Sequence, residues 1–366
     1  MLPIKDPKPN IDHFIRVVKG LEKPNKVLNG ELKVDDDLLK EICEEIFHRT
    51  WVNRQKSDLT KRAKYWDNVI HIFYHLGYDF VRVGRAITFP TKARITADTS
   101  DITDNDRVWV EEDEGAITDI ESFYAYPWPD PNEVDLWDYE YVSNNLPKGM
   151  GMMIGPSQGI LEIVTNSLLG FTGFSLMLYD NPELVEAVFE KTGDILYKIY
   201  QRVVETTKAY GFFQGDDMGY NSGLMFSDKL LRKSVLPWHQ KLIKLAHSND
   251  LIYILNSCGN LRKIGKDIIE MNVDVKHSFE ENGYSVKSYK DDYGMDITIM
   301  GGVDVDRLSR YKKDDLIEYC NDILNHCMKN GRYIYGSGNS VTNYVSIENY
   351  FTMLETGMKF KQKEIK

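Results

Sequence analysis

LIYILNSCGN, residues 251–260, sets an unbroken apolar run directly against a polar turn containing glycine. A strand buried on one face alternates apolar and polar side chains, whereas a strand of a parallel sheet covered on both faces reads as a continuous apolar run. The same construction recurs in YDFVRVGR (78–85), GMMIGPSQG (151–159), GFFQGDDMG (211–219), VDVKHSFE (273–280), ITIMGGVDVD (297–306) and RYIYGSGNS (332–340). Helical patterns separate most of these runs. Such alternation predicts an α/β fold, a single (β/α)8 TIM barrel, with its reactive side chains at the carboxyl ends of the strands. The strand ends nominate Arg82, Arg85, Gln158, Asp216, Asp217, Asn256, Cys258, His277, Asp304 and Asn339.

Outward from the barrel, residues 1–60 contain DDLLKEICEEIFHRTWV and predict an N-terminal helical extension, leaving 61–366 for the barrel. Tyr65, Val69, Ile72 and Leu76 recur at helical spacing, so Lys61 to Leu76 should form the helix that leads into the first strand. Residues 86–148 are an inserted region after that strand, a lid or a surface flap, in which RVWVEEDEGAITDI (107–120) reads as a hairpin turning at EDEG. Later helices announce themselves by caps: Asn181 with Pro182, Ser227 before a helix interrupted near Pro237, and Ser346.

The chain has 366 residues, of which 42% are hydrophobic, enough for a large core, and its formal net charge is −11. That balance argues against a general phosphate-backbone binder, so no nucleic-acid partner is expected. The four cysteines form no CxxC pair and suit a reducing cytoplasm. MLPIKDPKPNIDHF lacks the apolar core of a signal peptide, and no apolar stretch approaches the length of a membrane span. A cytoplasmic protein with no membrane partner is the expectation.

GDDMGYNSG (215–223) is the densest polar feature. Adjacent carboxylates at a strand end can hold a metal, a substrate ammonium or a pyrrole NH, and their repulsion raises one pKa toward the range of acid catalysis. One aspartate can equally cap a helix or turn while the other is solvated. Asp216 and Asp217, with His277 as the one histidine at a predicted strand end, form the candidate catalytic set; a hydrogen-bonded core histidine is the plainer alternative. Cys258 follows its strand directly and suits a metal ligand, a nucleophile or a small buried residue. Cys320 and Cys327 share a helical face with Ile323 and Leu324 and read as core. Arg82 and Arg85, out of step with the apolar run, suit substrate carboxylates or ordinary salt bridges. Gln158, Asn256, Asp304 and Asn339 complete the candidate substrate-binding set, the last two in glycine-rich turns that match no nucleotide fingerprint.

LGYDFVRV, GPSQGILE, GDDMGYNSGLMFSDKLLRKSVLPWHQKLIKLAH, NSCGN, VDVKHSFE, IMGGVDVDRL and GSGNSVTNYVSIENY follow one another over about residues 60–357. In that order they resemble the uroporphyrinogen decarboxylase superfamily, which also contains cobalamin-dependent methyltransferases. The resemblance implies a single (β/α)8 barrel. For a decarboxylase it implies an arginine motif R-x-x-G-R, an aspartate after the first strand and a tyrosine after the second. Nothing before Lys61 reproduces the first, and the other two neighbourhoods are RVGR and GPSQGILE, with Glu162 nearest the tyrosine's place. For the zinc methyltransferases it implies H-x-C and a later cysteine, and the corresponding positions here are Asn256, Cys258 and Asn339.

A set drawn from Glu162, Asp216, Asp217, Cys258 and His277, with Cys258 and Glu162 foremost, could replace the usual ligands, with zinc as the metal. The leading expectation is an enzyme that moves a methyl group between a small methylated donor and a corrinoid supplied by a partner protein. The alternatives are a cofactor-free decarboxylase of a uroporphyrinogen-like tetrapyrrole or other polycarboxylate, and a binding barrel without chemistry. A homodimer, common among the family's decarboxylases, is a further expectation.

Overall fold

The structure is a computed structural model that describes residues 2–91, 93–96, 107–110 and 115–361. Its strands are, in chain order, β1 (Phe80–Val83), the pair β2 (Ala93–Thr96) and β3 (Arg107–Val110), β4 (Gly151–Ile154), β5 (Gly211–Gly215), the short pair β6 (Gly219–Tyr220) and β7 (Gly223–Leu224), β8 (Ile252–Asn256), β9 (Val275–His277), β10 (Thr298–Met300) and β11 (Tyr333–Ile334). Each of the seven apolar runs became a strand. Together they make one seven-stranded parallel sheet in the order β1-β4-β5-β8-β9-β10-β11, curled as in a TIM barrel.

The period of two along each strand divides the barrel interior into layers. Phe80, Met153, Phe213, Ile254, Val275, Met300 and Ile334 belong to one buried apolar cluster. Two residues further along their strands, Phe80 gives way to Arg82, Ile254 to Asn256 and Val275 to His277, so a polar layer sits directly above the apolar one.

The helical extension does more than pack on the outside. Helix Ile11–Val18 places Phe14, Val17 and Val18 in the interior cluster, closing the amino-terminal end of the barrel, and Thr298 Oγ1 donates to Val18 O at 2.7 Å. Asn29 then forms a parallel bridge with Tyr335, with Gly30 N to Tyr335 O at 2.9 Å and Tyr335 N to Leu28 O at 2.8 Å. On the other side Lys26 Nζ lies 3.7 Å from Asp79 Oδ1, beside β1. Residues 28–30 thus stand in the gap between the last and first strands.

Helix Leu59–His75 starts two residues earlier than its apolar spacing indicates, because Asp58 accepts from Thr60 N and Lys61 N. Helix Pro182–Thr206 is capped by Asn181 as expected. The interruption near Pro237 is a π-helical stretch, Leu231–Val235, between Asp228–Leu230 and Leu236–Ser248. A proline cannot donate to the carbonyl one turn back, and the wider turn absorbs that loss.

The inserted region differs in its pairing. β3 does not open the hairpin turning at EDEG; it closes one, pairing antiparallel with β2, Ala93 opposite Val110. Residues 112–114 of EDEG lie outside the described residues, while Gly115 N and Ile117 N donate to Leu169 O and Leu168 O. The alternation in RVWV was legible, but ARIT upstream was its partner. The region returns to the barrel through helix Trp137–Asn145, where Asp138 Oδ1 accepts from Arg62 Nε at 2.9 Å and Trp66 Nε1 at 2.8 Å. No single helix among the described residues is long and apolar enough to cross a membrane.

Candidate functional site

At the carboxyl ends of β1, β4, β5 and β8 lies a cavity of about 570 Å³, within the range of small-ligand sites. The strand ends contribute Arg82, Arg85, Ser157, Gln158, Asp217 and Asn256, and Glu162 and Asn339 come from the adjoining turns. Glu31, Lys33, Asp36 and Arg54 from the amino-terminal segment and Tyr65, Trp66 and Phe73 from helix Leu59–His75 add to the wall.

Arg82 makes the floor. From β1 its side chain crosses β4 to β5, donating through Nε and Nη2 to Phe213 O at 3.2 and 3.1 Å, with the guanidinium carbon 5.4 Å from the Phe213 ring centroid. A Cβ on Gly155 would lie 2.3 Å from Arg82 Nη2, so glycine is required where the arginine passes. Burial pulls the Arg82 pKa down, and no carboxylate is among the groups acting on it. Arg85 is exposed on the rim and Gln158 half-buried.

The adjacent aspartates part company. Asp216 is fully buried, accepts from Leu161 N at 3.1 Å and Glu162 N at 3.3 Å, and lies 3.0 Å from His239 Nε2, whose other nitrogen meets Tyr253 Oη at 2.8 Å. It fastens the helix after β4 and is not among the groups lining the cavity. A Cβ on Gly159 would approach Asp216 Oδ1 to 2.1 Å, so this closeness also demands glycine. Asp217 points the other way, lines the cavity, and accepts from Cys258 N at 2.8 Å.

Glu162 lines the same cavity, its Oε2 accepting from Gly159 N at 3.0 Å. Burial, followed by the charges of Asp216 and Asp217, raises its pKa to about 7. This is the acid character that the paired aspartates were expected to show. Glu31, 1% exposed, is pushed up to about 8 by burial despite accepting from Ser337 N at 3.0 Å.

Cys258 does not sit among metal ligands. Its Sγ is 3.1 Å from Ser278 Oγ and accepts from Asn339 Nδ2 at 3.1 Å, while burial and then Asp217 push its pKa up to about 12. Among the described residues no three His, Cys, Asp or Glu side chains converge to hold a metal ion. The expected pairing of Cys258 with Glu162 thus lacks a third ligand, and the residues present do not fit zinc.

His277 is fully buried beneath the cavity, Nδ1 2.7 Å from Asn256 Oδ1, and burial pulls its pKa down to about 3. It is a neutral hydrogen-bonding group there rather than part of the cavity wall. Asp304 caps helix Val305–Arg310 by accepting from Arg307 N at 3.1 Å, and lines a second cavity of about 420 Å³ with Glu280 and Asp306. Asn339 touches both cavities.

Sequence reasoning passed over Lys276. Buried at 1% exposure, its Nζ donates to Ser257 O, His277 O and Ser278 O at 2.9, 2.6 and 2.9 Å, and burial lowers its pKa to about 7. It ties the ends of β8 and β9 together around Ser278, which holds a positive φ of 81°. A lysine inside an apolar run was its only signal. Glu31 gave none, since it lies far from every strand end in the sequence.

Residues 148–360, more than half of the chain, match the family model for uroporphyrinogen decarboxylase (URO-D). No curated protein matches the sequence. Among solved structures, a methyltransferase from Methanosarcina mazei superposes with a TM-score of 0.65 at 15% identity, covering 96% of this chain and 98% of that one. A B12-independent methionine synthase from Shewanella sp. W3-18-1 superposes with a TM-score of 0.55 at 10% identity, covering 92% and 97%. At these identities the likeness shows the fold.

Proposed function

The chain belongs to the uroporphyrinogen decarboxylase family, and from that premise we propose that it is a methyltransferase that takes a methyl group from a small methylated donor bound in the 570 Å³ cavity and passes it to a corrinoid on a partner protein. The observation that carries this reading is Glu162, an acid raised to about 7 on the cavity wall. Removing a methyl group from oxygen, nitrogen or sulfur leaves electron density on that atom, and a proton delivered there lowers the barrier. Glu162 supplies the proton. Burial first, and then the charges of Asp216 and of Asp217 beside it on the wall, keep the Glu162 pKa high.

A corrinoid, when bound, supplies the cobalt that accepts the methyl group. The mouth suits such a partner: Tyr220 and Tyr344 stand 52% and 62% exposed beyond the strand ends. No step of this reading requires zinc.

A second reading rests on one observation, the unpaired Arg82 on the floor. A decarboxylase must hold a substrate carboxylate, and Arg82 with Arg85 offers cations for it.

The test is single-turnover methyl transfer from a panel of methoxy-, methylamino- and methylthio-carboxylates to reduced cobalamin, followed by absorbance. Glu162→Gln should slow it by about 100-fold, and the wild-type rate should fall as pH rises through 7. Release of carbon dioxide from a polycarboxylate without methyl transfer, or full activity in Glu162→Gln, would overturn the reading.

A further inference from the structure

The floor of the cavity carries hydrogen-bond donors that the protein leaves without acceptors. Arg82 spends Nε and Nη2 on Phe213 O, and among the described residues Nη1 meets no acceptor. Asn256, 6% exposed, gives its Oδ1 to His277 Nδ1 at 2.7 Å. Asn256 Oδ1 faces Nδ1 of His277, and with the imidazole proton on Nδ1 the amide turns its NH2 away from the histidine and toward the cavity that Asn256 lines. Ser157, also 6% exposed, lines the same wall, and among the described residues its Oγ has no hydrogen-bond partner. A half-buried guanidinium with no counter-charge among the described residues and a buried hydroxyl with no partner are each unfavourable unless a ligand completes them.

The acids sit higher. Glu162 and Asp217 come from the turns that follow β4 and β5, whereas Arg82 and Asn256 belong to the strands themselves. The floor of the cavity is therefore a set of donors, while the level above it carries Glu162 and Asp217 together with the exposed Arg85. A carboxylate on the floor completes the donors there and stands clear of Glu162 and Asp217.

We propose that Arg82, Asn256 and Ser157 form a carboxylate subsite, and that the ligand is a small monocarboxylate lying with its carboxylate on the floor and its other end toward Glu162 and the open mouth. His277 is a positioning residue, which sets the direction of the Asn256 amide. The assignment rests on the methyl-transfer reading for what the upper end of the ligand carries. It places the methyl-bearing atom where the acid stands and where a partner can reach it.

Isothermal titration of the full chain with benzoate, acetate, benzamide, acetamide and benzylamine at constant ionic strength tests this. A carboxylate should bind at least tenfold more tightly than its amide, and benzylamine should be the weakest. Arg82→Gln and Asn256→Asp should each weaken carboxylate binding by 100-fold or more, and Ser157→Ala by roughly tenfold, a substitution small enough to leave the fold intact. His277→Phe keeps the ring beside Phe213 and removes the Nδ1 donor, so the carboxylate-to-amide preference should shrink while the protein stays folded. Amides binding as well as carboxylates, no carboxylate binding at all, or unchanged affinity in Arg82→Gln and Ser157→Ala would overturn the subsite. Carboxylates that bind in this pattern yet donate no methyl group would sink methyl transfer and leave the subsite standing. Methyl transfer from neutral donors, unaffected by Arg82→Gln, would do the reverse.

Discussion

Two corners of the barrel mouth treat buried polarity in opposite ways. Around Asp216, every polar group is answered: two helix N–H groups and a histidine converge on one carboxyl, and the histidine is held in turn by Tyr253. Around Arg82, the protein supplies a single carbonyl and leaves the rest of a guanidinium, an amide NH2 and a hydroxyl to whatever enters. Completed networks hold a fold together, whereas incomplete ones mark where a ligand finishes the structure. Adjacent aspartates fall on either side of this division, which is why residue type alone did not separate them.

The comparison breaks first at Asp216. Asp216→Ala strands His239 and the helix N–H groups, so the unfolding free energy from denaturant curves should fall by about 3 to 5 kcal/mol. A loss under about 1 kcal/mol would mean that this corner is not structural after all.

Glu31 offers nearly as large an effect through pH. Its folded pKa, about 8, lies above the ordinary carboxyl value, so the folded state holds the proton more tightly than the unfolded chain. That contribution is complete below the unfolded pKa and is lost as pH rises through 8. Wild-type stability should drop by roughly 3 kcal/mol more than that of Glu31→Gln between pH 5 and 8, read from unfolding curves at each pH. Equal slopes in the two proteins would contradict the burial argument.

Arg82→Gln is expected to move the unfolding midpoint by less than ~1 kcal/mol, since it removes a cation that no carboxylate answers. A loss as large as that in Asp216→Ala would erase the difference between the two corners. Smallest is Cys258. With its thiol near 12, iodoacetamide at neutral pH should label it well below the rate of an unhindered cysteine in the unfolded chain. Rapid labelling would restore a thiolate and, with it, a metal or nucleophile at that position.

The barrel was readable because its signal is local and repeated. Each apolar run ends in a polar turn, and the step from Phe80 to Arg82, or from Val275 to His277, already carries the interior layering. Arg82, Asn256 and Asp217 were recognised as candidate site residues for the same reason. Strand ends are positions in the chain as much as in space. What each of them does was less legible. Asp216 and His277 read as chemistry until their partners, His239 on a helix and Asn256 on the neighbouring strand, were seen beside them.

The inserted hairpin shows the same limit, since RVWV announced a strand but not which segment would pair with it. The sequence by itself determined the parallel strands, their order of occurrence and the polar layer above the core, because strand periodicity and caps act over a few residues. Only the tertiary structure decided that residues 28–30 would stand between the last and first strands, that Lys276 would tie two strand ends together, and which polar side chains would be left unanswered. Those outcomes depend on distances between groups far apart in the chain, and burial turns such distances into pKa shifts and unmet hydrogen bonds that no single stretch of residues contains.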